Sequence, residues 1–270
     1  MTDNSASFVG SIPQNYDRYL GHLLFEPFAD DLVGRLRVAQ GGRLLEVACG
    51  TGIVTRRLRA RFRDEITIVA TDLNEPMIGH AKVSSGMDRG IEWRQADAQA
   101  LPFTDASFDA VVCQFGLMFV PDKPAALREA RRVLVPGGTF AFNVWARLED
   151  NPIGRIANEV ITSYFPSDPP TFYRIPFGLD DQPLLQRLLS EAGFEIAQVE
   201  RLALEARGAS ALEAARGLVT GNPVLLEIQQ RGSARPDAII EALARELARA
   251  GGEAPLRLPM RALVFLARAI

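Results

Sequence analysis

Residues 46–52 read Glu46-Val47-Ala48-Cys49-Gly50-Thr51-Gly52, directly after an apolar run and directly before a helix-like stretch. This turn constrains the fold more than any other feature. Two glycines one residue apart at a strand-to-helix turn let the backbone approach a ligand where a side chain would clash. A dinucleotide fingerprint needs a third small residue, and Thr55 stands at that place. A P-loop needs a lysine after the glycines, and none follows. Phosphate is therefore the weaker ligand reading. Glu46 argues the same way, because a pyrophosphate is repelled by a carboxylate and a cationic sulfonium or ammonium group is not.

Further apolar runs follow, each ending in a polar residue. Ile66-Thr67-Ile68-Val69-Ala70-Thr71-Asp72 is β-branched and closes on an acid. Asp72 lies about 20 residues past the loop, where a carboxylate can accept both hydroxyls of an adenosine ribose. That fits NAD and an adenosyl-sulfonium cofactor equally. Residues 91–98 end in Asp97-Ala98, where a carboxylate can accept the adenine amine. Phe108-Asp109-Ala110-Val111-Val112-Cys113-Gln114 is a fourth strand, and the segment Pro136-Gly137-Gly138 opens a fifth.

The set Glu46–Gly52, Ala70-Thr71-Asp72, Gln95-Ala96-Asp97-Ala98, Leu101-Pro102-Phe103, Ser107-Phe108-Asp109 and Arg132-Val133-Leu134-Val135-Pro136-Gly137-Gly138 resembles the class I S-adenosylmethionine-dependent methyltransferases. The subgroup it is similar to is the ubiquinone/menaquinone-biosynthesis type and related bacterial small-molecule enzymes. The resemblance covers roughly residues 40–145. It implies a Rossmann-like, seven-stranded, mostly parallel sheet flanked by helices, with S-adenosylmethionine as cofactor. Carried over by position, it implies that Glu46, Gly50 and Gly52 face the methionine part. Asp72 would hold the ribose, Leu73 would pack on the adenine, and Asp97 and Ala98 would meet its edge. Gln114, Tyr16 and Met77 complete the expected cofactor contacts. Ala48 and Cys49 depart from the usual loop residues without closing it.

The chain has 270 residues, enough for one large domain with a cap. Its net charge of -3 offers no basic field to nucleic acid. No apolar run is long enough to span a membrane, and the first residues lack the regions of a signal peptide, so a cytoplasmic protein is expected. Monomer and homodimer both remain open. With two histidines and two cysteines, Cys49 and Cys113, no metal site is expected. Arg56, Arg57, Arg59, Arg61 and Arg63 crowd one side of the helix after the loop. That is a solvated face or a nucleic-acid contact, and the first is expected.

Strands alternate with helical patterns over residues 43–145, which argues a parallel sheet covered by helices. The expected organisation is an N-terminal helical lid at 1–40 and a cofactor-binding core at 41–150. A helical cap insertion at 151–180 follows, then a core continuation at 181–207. A second helical insertion spans 208–256, and a last core strand spans 257–270. Helices are expected at 53–63, 123–135 and 182–192, and strands at 194–204 and 261–269. Asn151-Pro152 starts a helix, and Ser210-Ala211-Leu212-Glu213 reads as a capping box. Asp168-Pro169-Pro170-Thr171 looks like a signature of amino-group methylation on nucleobases. It lies after the fifth strand instead of the fourth, so it is expected to be a loop.

Methyl transfer needs alignment and exclusion of water more than it needs catalytic groups. A base would help a phenol, enol or carboxylic acid, and His22 on the lid is the candidate. Phe119, Trp145, Phe172 and Tyr173 are the expected walls of a flat, apolar acceptor pocket. The expected function is methyl transfer to a small, aromatic or quinone-like metabolite at O, N or C. The alternatives are a non-catalytic partner protein that binds the adenosyl cofactor, and a fold relative using it for other chemistry.

Overall fold

The computed structural model describes residues 7–86 and 90–270. Residues 1–6 of the expected lid lie outside that range. The described chain opens with α1 (Ile12–Asn15), a wider π-helical segment (Tyr16–Phe25) and α2 (Glu26–Arg35). The regular alternation follows: β1 (Arg43–Val47), α3 (Ile53–Phe62), β2 (Thr67–Asp72), α4 (Glu75–Ser84), β3 (Ile91–Gln95) and β4 (Phe108–Gln114). Then come α5 (Lys123–Val133), β5 (Leu134–Trp145), α6 (Pro152–Ser163), α7 (Gln182–Glu191) and β6 (Phe194–Gly208). The chain closes with α8 (Ala211–Thr220), α9 (Val224–Arg231), α10 (Pro236–Gly251) and β7 (Leu256–Ala269).

The seven strands form one sheet in the order β3-β2-β1-β4-β5-β7-β6. The first five are parallel, and β7 runs antiparallel to both β5 and β6. Leu44, Leu45, Ala110, Val111 and Val112 of β1 and β4 are fully buried, as parallel strands covered on both faces must be. Strand order reverses direction between β1 and β4, so the crevice beyond their carboxyl ends is where such sheets take ligands.

Helix starts follow local chemistry. Asp122 accepts from the Ala125 amide to cap α5, Asp181 from Leu184 to cap α7, and Ser210 from Glu213 to cap α8. Helix α6 does start after Asn151, but the Asn151 side chain does not cap it. Its amide donates instead to the carbonyls of Ala146, Arg147 and Arg261, and its Oδ1 accepts from the Arg261 amide. It thereby pins the end of β5 to β7. The Asp168-Pro169-Pro170 run is a loop.

Helices α6, α8 and α10 pack on one another, and α8 also packs on the π-helical segment. Helix α9 packs on α8 and α10. The sequence places β6 at 194–204 and β7 at 261–269, but both extend further, to Gly208 and back to Leu256. Pro255 and Pro259 masked the extension, since proline punctuates strands, and the first residues of β7 pair only with β6, leaving an open side that tolerates Pro259. Its free end, with Leu204–Gly208 paired to Leu256–Met260, supports the capping helices. The arginines of α3 are engaged in local contacts. Arg56 meets Asp17, Arg57 meets Glu26 and Asp30, and Arg61 donates to the Leu36 carbonyl.

Candidate functional site

One large cavity opens at the carboxyl ends of β1, β2 and β4, enclosing about 1270 Å³ including its open mouth. Its sheet side is lined by Gly50, Asp72, Leu73, Met77, Asp97, Ala98 and Gln114, and Tyr16 reaches it from the π-helical segment. Its far side is lined by Phe119, Trp145, Phe172 and Tyr173, so the residues expected on cofactor and acceptor sides meet in one space.

The strand-end backbone is shaped for this. Gly50 has φ 54° and Gly52 has φ 79°, in the left-handed region that glycine enters without steric cost. A Cβ on Gly50 would point into open space, so this turn leaves a cradle that a ligand can fill. The Gly50 amide donates to Asp72 Oδ2 at 2.8 Å, and the Asn74 amide donates to Oδ1 at 2.8 Å. Burial pushes the Asp72 carboxyl above its ordinary value, opposed by those amide donors. A carboxylate has about four lone-pair sites, so capacity remains for a hydroxyl donor. Leu73 beside it is 54% exposed, an apolar surface suited to a flat ring. Asp97 is held by the amide and side chain of Gln99.

Ala48 and Phe115, at the ends of β1 and β4, also carry positive φ, 55° and 48°. Non-glycine residues in this region are strained and are held there by their surroundings. Phe115 is fixed by a bond from its amide to Asn143 Oδ1 at 3.0 Å. Its ring stacks on Trp145, with centroids 4.0 Å apart and planes 10° apart. Tyr16 stacks on Phe25 at 4.6 Å, and Phe8 meets both Tyr16 and Phe119 edge-on. Burial, then the charges of Asp72 and Asp17, hold the Tyr16 phenol well above its ordinary value, so it stays neutral.

Three expected site residues lie elsewhere. His22 is exposed and does not line the cavity. Leu20, Leu23 and Leu24 take the buried side of its segment and turn the imidazole to solvent, so His22 is not placed to act as a base. Glu46 sits behind the loop, 2% exposed, accepting from Thr55 Oγ1 at 2.5 Å. Burial pushes it up to about 8, with the Thr55 hydrogen bond opposing and Asp72 adding. Gly52 does not line the cavity either. A Cβ there would meet Ala81 Cβ at 3.1 Å and the Trp93 ring at 3.3 Å, so its smallness serves the packing of α3 on α4. Cys49 and Cys113 are buried, and burial pushes the Cys113 thiol up to about 12.

Sequence reasoning missed Phe8, Phe25, Asn74, Asn151, Phe177 and Asn222, all of which line the cavity. Most of these come from loops and from the π-helical segment, which no periodic pattern marks. Among the described residues no lysine, arginine or histidine lines the cavity, and no cluster of His, Cys, Asp or Glu could hold a metal ion. No described helix is long and apolar enough to cross a membrane.

The floor of the cavity coincides with a known family model. Residues 45–142 match the "Methyltransferase domain" model. A ubiquinone/menaquinone biosynthesis C-methyltransferase from Teredinibacter turnerae is 41% identical over 120 residues, covering 43% of this chain and 47% of that protein. The chain thus spans about half the length of that relative. The protein of the same description from Escherichia coli O1:K1 is 31% identical over 187 residues, covering 64% of this chain and 73% of its own. A solved S-adenosylmethionine-dependent methyltransferase from Thermotoga maritima superposes with a TM-score of 0.57 over 100% of both chains at 19% identity, a likeness of fold. The glycine turn, the strand-end acids and these relatives together place the chain in the class I S-adenosylmethionine-dependent methyltransferases.

Proposed function

We propose that this protein transfers a methyl group from S-adenosylmethionine to a small, neutral, aromatic or quinone-like metabolite seated among the cap aromatics. The observation that carries this reading is the single cavity joining a polar floor to an aromatic far side. When bound, the cofactor supplies an electrophilic methyl on a sulfonium. Asp72 would accept the ribose hydroxyls, Leu73 would cover one adenine face, and Asp97 and Ala98 would meet the adenine edge. The open side of Gly50 fits the amino-acid end, beside Tyr16 and Gln114. Glu46 would act from behind the loop by setting its shape and field.

Phe119, Trp145, Phe172 and Tyr173 would hold the acceptor flat and keep water out. With His22 turned away, no side chain on the far wall is an evident base. The acceptor therefore brings its own nucleophilicity, as an electron-rich ring or an amine. Asp72 and Asp97 line the cavity with no cation opposite, which disfavours carboxylate acceptors. The curated relatives named above are described as quinone-pathway C-methyltransferases, which favours a carbon acceptor on such a ring. A cytoplasmic site of action fits such a reaction.

Titration calorimetry tests the floor first. S-adenosylmethionine and S-adenosylhomocysteine should bind and NAD should not. Asp72→Ala should weaken both adenosyl ligands by about 10- to 100-fold, the usual worth of hydrogen bonds to a charged group. Binding of NAD alone, or equal affinities in the variant, would refute the assignment. Mass analysis of an acceptor panel should then show gain of a methyl group.

A further inference from the structure

Most polar side chains on the far side of the cavity can be traced to a partner, while the Trp145 indole N–H makes no hydrogen bond among the described residues. Tyr173 donates its hydroxyl to the Leu218 carbonyl at 2.8 Å. Gln114 donates to the Phe25 carbonyl and faces the Asn143 amide through its oxygen. Asn151 has both amide ends committed to backbone. Asn222 is different. It lies in the turn between α8 and α9, lines the cavity, and is 7% exposed. Its Nδ2 donates to the Leu218 carbonyl at 3.3 Å, and its side chain lies against the Tyr173 hydroxyl. The Leu218 carbonyl fixes which way the amide points, since a flipped Asn222 would set oxygen against oxygen. Asn222 Oδ1 accepts no hydrogen bond among the described residues. Among the described residues Ser85 Oγ is the enclosed side-chain polar atom that lacks a partner, so Asn222 Oδ1 is instead open to the cavity, where a donor on a ligand can reach it.

We infer that Asn222 Oδ1 recognises the methyl acceptor by accepting a hydrogen bond from a hydroxyl or N–H on its ring. This rests on the methyl-transfer reading above and adds to it the residue that selects the acceptor. Burial pushes the Tyr173 phenol above its ordinary value, so it remains a neutral donor already committed to Leu218. The selected molecule is then a flat, uncharged ring bearing a hydrogen-bond donor. The same ring with that donor capped by an alkyl group is rejected, because Oδ1 would stay unpaired when water is excluded.

The test uses 1-naphthol and 1-methoxynaphthalene as paired probes, titrated into the full-length protein saturated with S-adenosylhomocysteine. Naphthol should bind about tenfold more tightly than the ether in the wild type, the effect of one well-placed hydrogen bond. In Asn222→Leu the ratio should fall towards one while the ether keeps its affinity. A wild-type ratio near one, no naphthol binding at all, or an undiminished ratio in Asn222→Leu would each overturn the inference. The wild-type ratio needs no variant, so a misfolded substitution cannot shield the idea. Failure of S-adenosylhomocysteine to bind the wild type would strike the methyl-transfer reading itself, and the naphthol pair titrated without it would still report on Asn222.

Discussion

At the scale of single residues, the two glycines of the loop do different work despite their similar backbone. Gly50→Ala forces a left-handed conformation costing about 1–2 kcal/mol but meets no atom. Its larger effect should fall on S-adenosylhomocysteine affinity, with a loss of about tenfold or more, because the new methyl would occupy the ligand's space. Gly52→Ala should do the reverse. Its Cβ would press on Ala81 and Trp93, so about 1–3 kcal/mol of further stability should go with little change in affinity per folded molecule. Urea unfolding beside calorimetry separates the two, and matching effects would show that the loop has been misassigned. Glu46 gives a pH signature. Its carboxyl rises from an ordinary 4.5 to about 8 on folding, so the folded state holds the extra proton between those values. Stability of the ligand-free protein should therefore be highest, as far as Glu46 is concerned, below about pH 4.5. It should decline towards about pH 8 by an amount on the order of a few kcal/mol. Glu46→Gln should remove that slope and be relatively more stable at alkaline pH, measured by unfolding at several pH values. The sequence exposed these positions because they lie in or directly after the recognisable strand β1. Asn222 was not legible, since an asparagine after a helix reads as a turn until the end of α8 is placed at the cavity wall.

At the scale of elements, the π-helical segment is held down chiefly through Asp17. That carboxylate accepts from Thr51 Oγ1 at 3.0 Å and Arg56 Nη2 at 3.3 Å, and it faces His80 Nε2 at 3.2 Å. It thus ties the segment to the glycine turn and to α4. Asp17→Ala should speed amide exchange over residues 16–25 and raise the S-adenosylhomocysteine dissociation rate several-fold, with less effect on association. Unchanged exchange would mean that packing of Leu20 and Leu23 holds the segment alone. The wide turns also explain why a helical reading of residues 12–36 left the roles of its residues unsettled. A π-helix shifts side chains around the axis relative to the common pitch. The β1–β5 alternation was legible because continuous apolar runs and helical patterns are local signals. The hairpin extension was not, because its prolines resemble breaks and its burial depends on capping helices far along the chain.

At the scale of the whole molecule, the far wall of the cavity is drawn from separate stretches of chain around a continuous floor. Phe8 and Phe25 come from the start, Phe172 and Tyr173 from the segment after α6, and Leu218 and Asn222 from the end of α8. Ligands that span floor and far wall should stabilise these stretches together. At a hundredfold excess over its dissociation constant, one ligand adds about 2.7 kcal/mol. Amide exchange in α8, α10 and residues 16–25 should slow in concert, and protection of β1–β4 alone would show that the capping helices act independently. The sheet order carries one more consequence. Strand β7 is made after both β5 and β6, yet it lies between them. During synthesis on the ribosome, β5 and β6 emerge with facing edges that nothing fills. Helix α10 directly precedes the missing strand, so the chamber's supports and the sheet can only close at the same late moment. Until then the nascent chain carries open strand edges, which makes its production sensitive to chaperone supply even though the finished fold has none left between β5 and β6.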